Sequence, residues 1–321
     1  MSDKTVLYIK DIVQETADAI TIYFGQPKQQ LNYLSGQFLT LISEIEGKEE
    51  RRAYSLSSSP YIDNELCVTI KRVKGGKMSN YLIDNVRVGD EMTVLPPLGN
   101  FNFKPQNTSR HIVLIAGGSG ITPLFSIIKS VLIGEPASKV SLIYVNSNRE
   151  ATIFYEHLQQ WYSRFLSRFN IVHYWSDDFK NEQPKNGFFS RLFKKTDLHS
   201  HRINPVRLNG IFQNLQFIND TNTEFYICGP QELMEMATAT ILKIGFPKRN
   251  IHKESFCTAI KTISNSARAL QEHQITIVSK GKKHKVNVSA GTPILFAGLE
   301  LGIDIPYSCQ SGSCNSCVGK C

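Results

Sequence analysis

The chain of 321 residues has no apolar run near the ~18 residues that a membrane-crossing helix needs. Its first residues bring charge early, at Asp3 and Lys4, and contain no apolar signal core. A cytoplasmic location is therefore the default expectation. Internal repeats and low-complexity tracts are absent, which sets aside solenoid architectures and disordered arrays. Cysteine is sparse over most of the chain, where Cys67, Cys228 and Cys257 stand alone. The general dinucleotide fingerprint G-x-G-x-x-G is also missing.

What is present is an ordinary globular composition, 41% hydrophobic and 20% charged, long enough for two domains and part of a third. Lysine and arginine outnumber the acids 36 to 28, for a net charge of +8. A modest excess of this kind suits phosphate-bearing cofactors or an acidic docking partner. Its scatter speaks against nucleic acid. The run Gly281-Lys282-Lys283-His284-Lys285 reads as a solvated hairpin edge, where lysine opposes strand pairing. Cys309, Cys314, Cys317 and Cys321 crowd the last thirteen positions. Such crowding in a chain expected to stay in a reducing compartment points to metal or cluster ligation before disulfides.

Two periodicities divide the chain. Short apolar or alternating segments at 5–9, 19–23, 38–42, 51–57, 66–72 and 91–95, with turn residues between them, predict an antiparallel barrel. Pro96-Pro97-Leu98-Gly99-Asn100 interrupts that pattern. From residue 111 onward, strand-like segments (111–116, 140–145, 170–174, 224–228) alternate with helical ones (from 124, 153–165, 231–245), which predicts a parallel α/β sheet. Residues 177–210 read as a loop with a poorly defined helix. Residues 260–272 read as a linker. A hairpin (274–279 and 285–288) and a short helix (293–301) follow. The expected domains are 1–105, 106–258, a linker at 259–273, and 274–321.

Four constellations carry chemistry in the first two domains. In Arg52-Ala53-Tyr54-Ser55-Leu56-Ser57-Ser58, strand alternation puts Arg52 and Tyr54 on one face. A guanidinium fork suits a pyrophosphate, a tyrosine ring can stack on a flat ring system, and a serine hydroxyl can reach a ring nitrogen. Next, Arg72-Val73-Lys74-Gly75-Gly76-Lys77-Met78-Ser79 is a glycine turn entering a helix near Ser79. It is either a phosphate-binding helix start or a hairpin turn with a serine N-cap, and the two are compatible. The third, Gly117-Gly118-Ser119-Gly120-Ile121-Thr122-Pro123, joins a buried-type strand to a helix, so its backbone amides can face a pyrophosphate. The fourth, Cys228-Gly229-Pro230, ends a strand of the same sheet, where ligands of α/β folds collect. Cys228 alone would read as a buried core thiol.

Arg-x-Tyr-Ser-x-x-Ser followed by Gly-x-x-Ser resembles the FAD site of the ferredoxin–NADP reductase superfamily, and the other two motifs resemble its nicotinamide site in the same order. That resemblance implies that Arg52 and Ser79 hold the FAD pyrophosphate, with Ser58 and Gly76 in the same motifs. It implies that Tyr54 packs on the isoalloxazine with Ser55 near its reactive nitrogen. Gly117, Gly118, Gly120 and Thr122 are then expected at the NAD(P) pyrophosphate, and Cys228, Gly229 and Pro230 beside the nicotinamide. Tyr54, Ser55, Cys228 and Phe256 form the expected catalytic set. Phe256, in Glu254-Ser255-Phe256, is either a gate for hydride access or a packing residue. Arg149 suits a 2′-phosphate, whereas Glu150 beside it suits a free ribose, so the choice between NADH and NADPH stays open.

Cys309-x4-Cys314-x2-Cys317 has the spacing of a plant-type [2Fe–2S] site. The flanking Ile305-Pro306-Tyr307-Ser308 and Val318-Gly319-Lys320 also resemble plant-type ferredoxins. Such a cluster needs four thiolates, and the family's fourth ligand lies beyond position 321. Cys321 is expected not to be a ligand. A truncated sequence and a partial β-grasp module are expected. Zinc is the competing metal. The order of domains resembles the reductase components of bacterial oxygenases, within them the phenylacetyl-CoA epoxidase reductase-like group. The implied activity passes electrons from NAD(P)H through FAD to the cluster and on to an oxygenase or hydroxylase component. The alternatives are a flavin reductase or diaphorase with an incomplete cluster domain, and a non-catalytic cofactor- or zinc-binding interaction protein.

Overall fold

The computed structural model describes residues 4–25, 31–179, 202–215, 222–256 and 272–303, together with 305, 307, 317 and 319. They fall into two compact units, one within residues 3–256 and one within 257–321.

The first sheet of the larger unit is antiparallel: β1 (Thr5–Thr16), β2 (Ala19–Phe24), β3 (Phe38–Ile45), β4 (Lys48–Ser55), β5 (Leu66–Lys71) and β6 (Glu91–Leu98). The order is β4-β3-β6-β1-β2-β5, and a bridge between Leu56 and Val68 joins the end of β4 to β5. Closure in this way removes the open strand edges and makes a barrel. Inward positions such as Leu7, Ile22, Leu39, Leu41, Val68 and Val94 fill it. Helix α1 (Lys77–Asn85) plugs one end with Met78 and Leu82.

Two expectations are corrected in the barrel. Pro96 and Pro97 do not interrupt the strand: β6 runs through them to Leu98. The β3–β6 register shifts between Phe38 and Thr40, opposite the proline pair. A bulge is a place where a residue lacking an N–H costs no ladder bond. The helix expected from Ser79 begins at Lys77.

The second sheet is parallel, built from β7 (His111–Gly117), β8 (Lys139–Asn146), β9 (Phe169–Trp175), β10 (Thr223–Cys228) and β11 (Ile251–Glu254). Its order, β11-β10-β7-β8-β9, reverses direction between β7 and β10. That reversal opens a crevice at the carboxyl ends of those two strands. Helices α2 (Ile121–Gly134) and α3 (Tyr155–Arg164) cover one face, and α4 (Pro205–Asn214) and α5 (Gln231–Lys243) the other. Strand β11 has no counterpart in the sequence pattern. Its Ile-His-Lys-Glu has neither the length nor the apolar content of a strand, and parallel pairing to β10 creates it.

Helix α2 departs from the one-sided pattern expected of it. Every residue from Ile121 to Leu132 is buried, because the helix lies between the parallel sheet and the barrel. Polar side chains line its barrel side. Ser126 Oγ donates to the Ser58 carbonyl, Ser130 Oγ lies 2.7 Å from Ser59 Oγ, and Lys129 pairs with Asp63.

The smaller unit shows an antiparallel hairpin of β12 (His273–Ser279) and β13 (Lys282–Val288), with α6 (Ile294–Glu300). Ile275, Ile277, Val286, Val288, Ala297 and Ile303 form its core.

Candidate active site

Strand β4 places the first group of candidates. Leu39 pairs with Tyr54 and Phe38 with Ser55, so β3 sets their register. Tyr54 packs against the barrel core, and burial raises its phenol above the usual range. The side chain therefore offers a neutral ring face rather than a charge. Arg52 is half-buried, lies 3.2 Å from Glu50 and donates to the Arg51 carbonyl at 2.7 Å. Helix α1 packs against β3, β4 and β5. That terminus has Gly76 as N-cap and no side-chain cap. Ser79 is buried, and its Oγ accepts from the Val73 N–H at 3.1 Å, so it fixes the turn. A guanidinium and an uncapped helix start together fit a pyrophosphate.

Ser58 has a different setting. It is fully buried, and its Oγ accepts from Tyr33 at 2.9 Å and from the Cys67 N–H at 3.1 Å. Its carbonyl meets α2, so this serine joins the barrel to the parallel layer.

The glycine turn between β7 and α2 is shaped by backbone crowding. A Cβ on Gly120 would lie 2.1 Å from the Cys228 carbonyl oxygen. One on Gly117 would lie 2.6 Å from the Pro230 ring. Only glycine lets the two strand ends come this close. Gly118 takes a left-handed conformation, φ 53°, with open space where a Cβ would project. The start of α2 also lacks a side-chain cap, and the Thr122 hydroxyl donates to the Ser119 carbonyl at 3.0 Å. The unused amides of this turn fit a second pyrophosphate.

Strands β10 and β11 complete the crevice. Cys228 pairs with Ala116 on one side and Glu254 on the other. It is fully buried, and desolvation, with Glu254 as a lesser cause, holds its thiol well above the ordinary range. A thiol in that state is a small packing surface and not a nucleophile. Ser55 Oγ donates to Glu254 Oε2 at 3.4 Å. This contact ties the end of the barrel strand to the carboxyl end of β11, whose Glu254 pairs with Cys228, and the Cys228 carbonyl in turn lies against Gly120. Glu254 belongs to this cluster, and only the register of β11 reveals it.

The remaining candidates lie at the rim. Phe256, two residues past β11, is 41% exposed. Arg149 follows β8, places its guanidinium carbon 4.3 Å from the Tyr155 ring centre and sits 3.3 Å from Glu156. Beside it, the Asn146 amide nitrogen is buried without a hydrogen-bond partner among the described residues. That unused donor at a strand's carboxyl end fits a bound nucleotide. Of the cysteine cluster, Cys317 is described and half-buried, whereas Cys309, Cys314 and Cys321 lie outside the described residues.

Comparison with known proteins matches three domain families along the chain. These are the oxidoreductase FAD-binding domain over residues 5–103, the oxidoreductase NAD-binding domain over 114–239, and the 2Fe-2S iron-sulfur cluster binding domain over 277–321. One component of the 1,2-phenylacetyl-CoA epoxidase of Escherichia coli K12 is 31% identical over 98% of this chain and 85% of its own. The ferredoxin reductase component of a 3-ketosteroid-9-alpha-monooxygenase from Rhodococcus rhodochrous is 30% identical over 99% and 86%. Among solved structures, phthalate dioxygenase reductase shares the fold, with a TM-score of 0.63 at 23% identity over 98% of this chain and 85% of that one.

Proposed function

Because the chain belongs to the ferredoxin–NADP reductase type of oxygenase reductases with a C-terminal 2Fe-2S domain, and is thus an NAD(P)H-dependent oxidoreductase, we propose that its crevice brings nicotinamide and flavin rings together to feed electrons to an oxygenase component. When bound, FAD supplies the exchange between two-electron and one-electron chemistry that a pyridine nucleotide and an iron–sulfur cluster require.

The protein's part is placement. Arg52 and the amino terminus of α1 hold the flavin's pyrophosphate by charge and amide donors. Tyr54 gives the ring system a neutral aromatic face. The Gly117–Gly120 turn and the start of α2 hold the second pyrophosphate through backbone amides. Gly229 and Pro230 wall the nicotinamide subsite, with Cys228 as a neutral floor. Ring-to-ring approach depends on these positions, since well-placed reactants gain most of their rate from fixed geometry. Ser55 and Glu254 keep a hydroxyl and a carboxylate at the flavin edge, where a proton can be held beside the reacting ring.

The observation that carries this reading is the Ser55–Glu254 contact, which joins a flavin-type barrel strand to the nicotinamide-type sheet. The direct test is spectroscopic. Purified protein is expected to be yellow and to bleach under NADH or NADPH without oxygen. A preparation that takes up no FAD ends the proposal. Iron analysis and reduction of the cluster signal by NAD(P)H test the relay separately from the flavin step.

A further inference from the structure

We propose that the outer face of the β12–β13 hairpin is a docking surface for an acidic protein. Between Glu272 and Glu300 the chain has no carboxylate, yet it carries Lys280, Lys282, Lys283 and Lys285. The hairpin offers them no acid of its own, whereas several surface lysines of the larger unit meet one: Lys4 with Glu49, Lys10 with Glu65, Lys71 with Asp18 and Lys77 with Glu46. Among the described residues Lys282, Lys283 and Lys285 have no ion pair.

Cross-strand pairing offers these lysines no relief. Lys282 faces Ser279, Lys283 faces Val278 and Lys285 faces Thr276. An acid at any of those three positions would form a favourable cross-strand pair. All three are uncharged, so the repulsion among the lysines stands within the hairpin. The opposite face, with Ile275, Ile277, Val286 and Val288, is the core face. Lys283, Lys285, Thr276 and Val278 therefore share the outward face, with the two lysines about 7 Å apart, while Lys282 alternates to the other face and stands beside the turn at the rim of the patch. Val278 is 62% exposed at its centre. An apolar contact flanked by cations matches the make-up of a protein interface, with a dry centre and a charged rim.

Three or four lysines are few for a nucleic acid, whose binding rests on many phosphate contacts. The choice of a protein over other polyanions rests on the electron-transfer reading above, because this hairpin belongs to the cluster-binding module, which hands electrons on. Complementary charge would then act mainly on the encounter rate and on its dependence on salt. Protecting the strand edge is the competing role for these lysines, and it makes a different prediction. Any charge protects an edge, but only positive charge recruits an acid.

The experiment uses the full-length holoprotein in its oxidised form with no NAD(P)H, so binding is read apart from electron flow. The probe is poly-L-glutamate, followed by fluorescence anisotropy across a salt series. Wild type is expected to bind with a steep loss between low and high salt. Lys282→Glu/Lys283→Glu/Lys285→Glu is expected to weaken binding at least about tenfold at low salt. Lys48→Glu/Lys139→Glu, which changes charge elsewhere, is expected to leave it within about twofold. Val278→Ser is expected to reduce affinity with no change in salt slope. Hydrogen exchange at the hairpin amides checks that each variant keeps its fold. Flavin bleaching by NAD(P)H stays at the wild-type rate in all of them. The proposal is overturned if the triple glutamate variant binds as wild type does. It is also overturned if duplex DNA or phosphatidylserine vesicles bind better than the polypeptide, or if Lys282→Thr/Lys283→Thr/Lys285→Thr aggregates while keeping full affinity. Failure of flavin bleaching with binding intact would instead count against the reductase reading.

Discussion

On the barrel strands the candidate contacts with a dinucleotide are side chains, the Arg52 guanidinium, the Tyr54 ring and the Ser55 hydroxyl, and amides enter only at the start of α1. In the parallel layer they are backbone, exposed because Gly117, Gly120 and Gly229 let two strand ends come within reach of each other. The difference follows from architecture. A closed antiparallel sheet uses its amides in its own ladder, so only side chains are left to face outward. A parallel sheet ends in loops and helix starts, where amides remain unused. A site built from side chains should lose function in proportion to the group removed. One built from crowded backbone should fail at once.

The largest expected effect comes from Gly120→Ala. Its methyl group would sit 2.1 Å from the Cys228 carbonyl oxygen, and the atoms nearest it are all backbone of Cys228 and Gly229, with no flexible side chain to give way. We expect a cost of about 3 kcal/mol and a fall in Tm of roughly 6–12 °C. Bleaching by NAD(P)H should drop by about 100-fold, the penalty for displacing a reactant by an ångström. Gly118→Ala sharpens the comparison within one turn. That site has room but a left-handed backbone, so its cost should be near ~1 kcal/mol. If the two variants behave alike, crowding is not what makes the turn.

Arg52→Ala is the counterpart in the barrel. Losing a charged donor pair is expected to weaken FAD retention by roughly tenfold or somewhat more. Arg52→Lys should fall between, since it keeps charge and loses the planar fork. Nucleotide binding to the parallel layer, followed by calorimetry with NADH and NADPH, should be unaffected. A variant that loses both cofactors together would break the division between the two regions.

The same contrast explains what can be read from the sequence. Strand alternation in the barrel and the glycine turn are legible because each is local: period, turn residue and motif lie within a few positions. Strand β11 is not, because four mostly polar residues become a strand only by pairing with β10. Glu254 escapes as a site residue for the same reason. It enters the cluster through register with Cys228 and a contact from Ser55, which lies 199 positions earlier. The strand through Pro96 and Pro97 is hidden by a rule that holds for regular ladders and lapses at a bulge. The polar contacts of Ser126, Lys129 and Ser130 on α2 are likewise invisible, since a helical period announces one buried face and this helix has two.

The smallest expected effect lies at the other end of the parallel strands and tests whether the crevice is insulated from it. Arg110 is buried between Glu135 and Glu224, 2.6 Å from each, and His252 Nε2 lies 3.2 Å from Glu224. The hydrogen bond from His252, then the charge of Arg110, pull the Glu224 carboxyl down to about 2 from its ordinary 4.5. A depressed carboxylate adds stability above its unfolded pKa and loses it as pH falls through the folded one. The stability gap between wild type and Glu224→Gln should therefore be about 2 kcal/mol near pH ~5. It should close as pH drops from 4.5 toward 2, which urea midpoints at several pH values would trace. Bleaching by NAD(P)H at neutral pH should hardly change, because Glu224 stands four residues back along β10 from Cys228, about 13 Å from the crevice. A large loss of rate in this variant would mean that the charged end of the sheet sets the geometry of the glycine end, and the two regions could no longer be treated as separate designs.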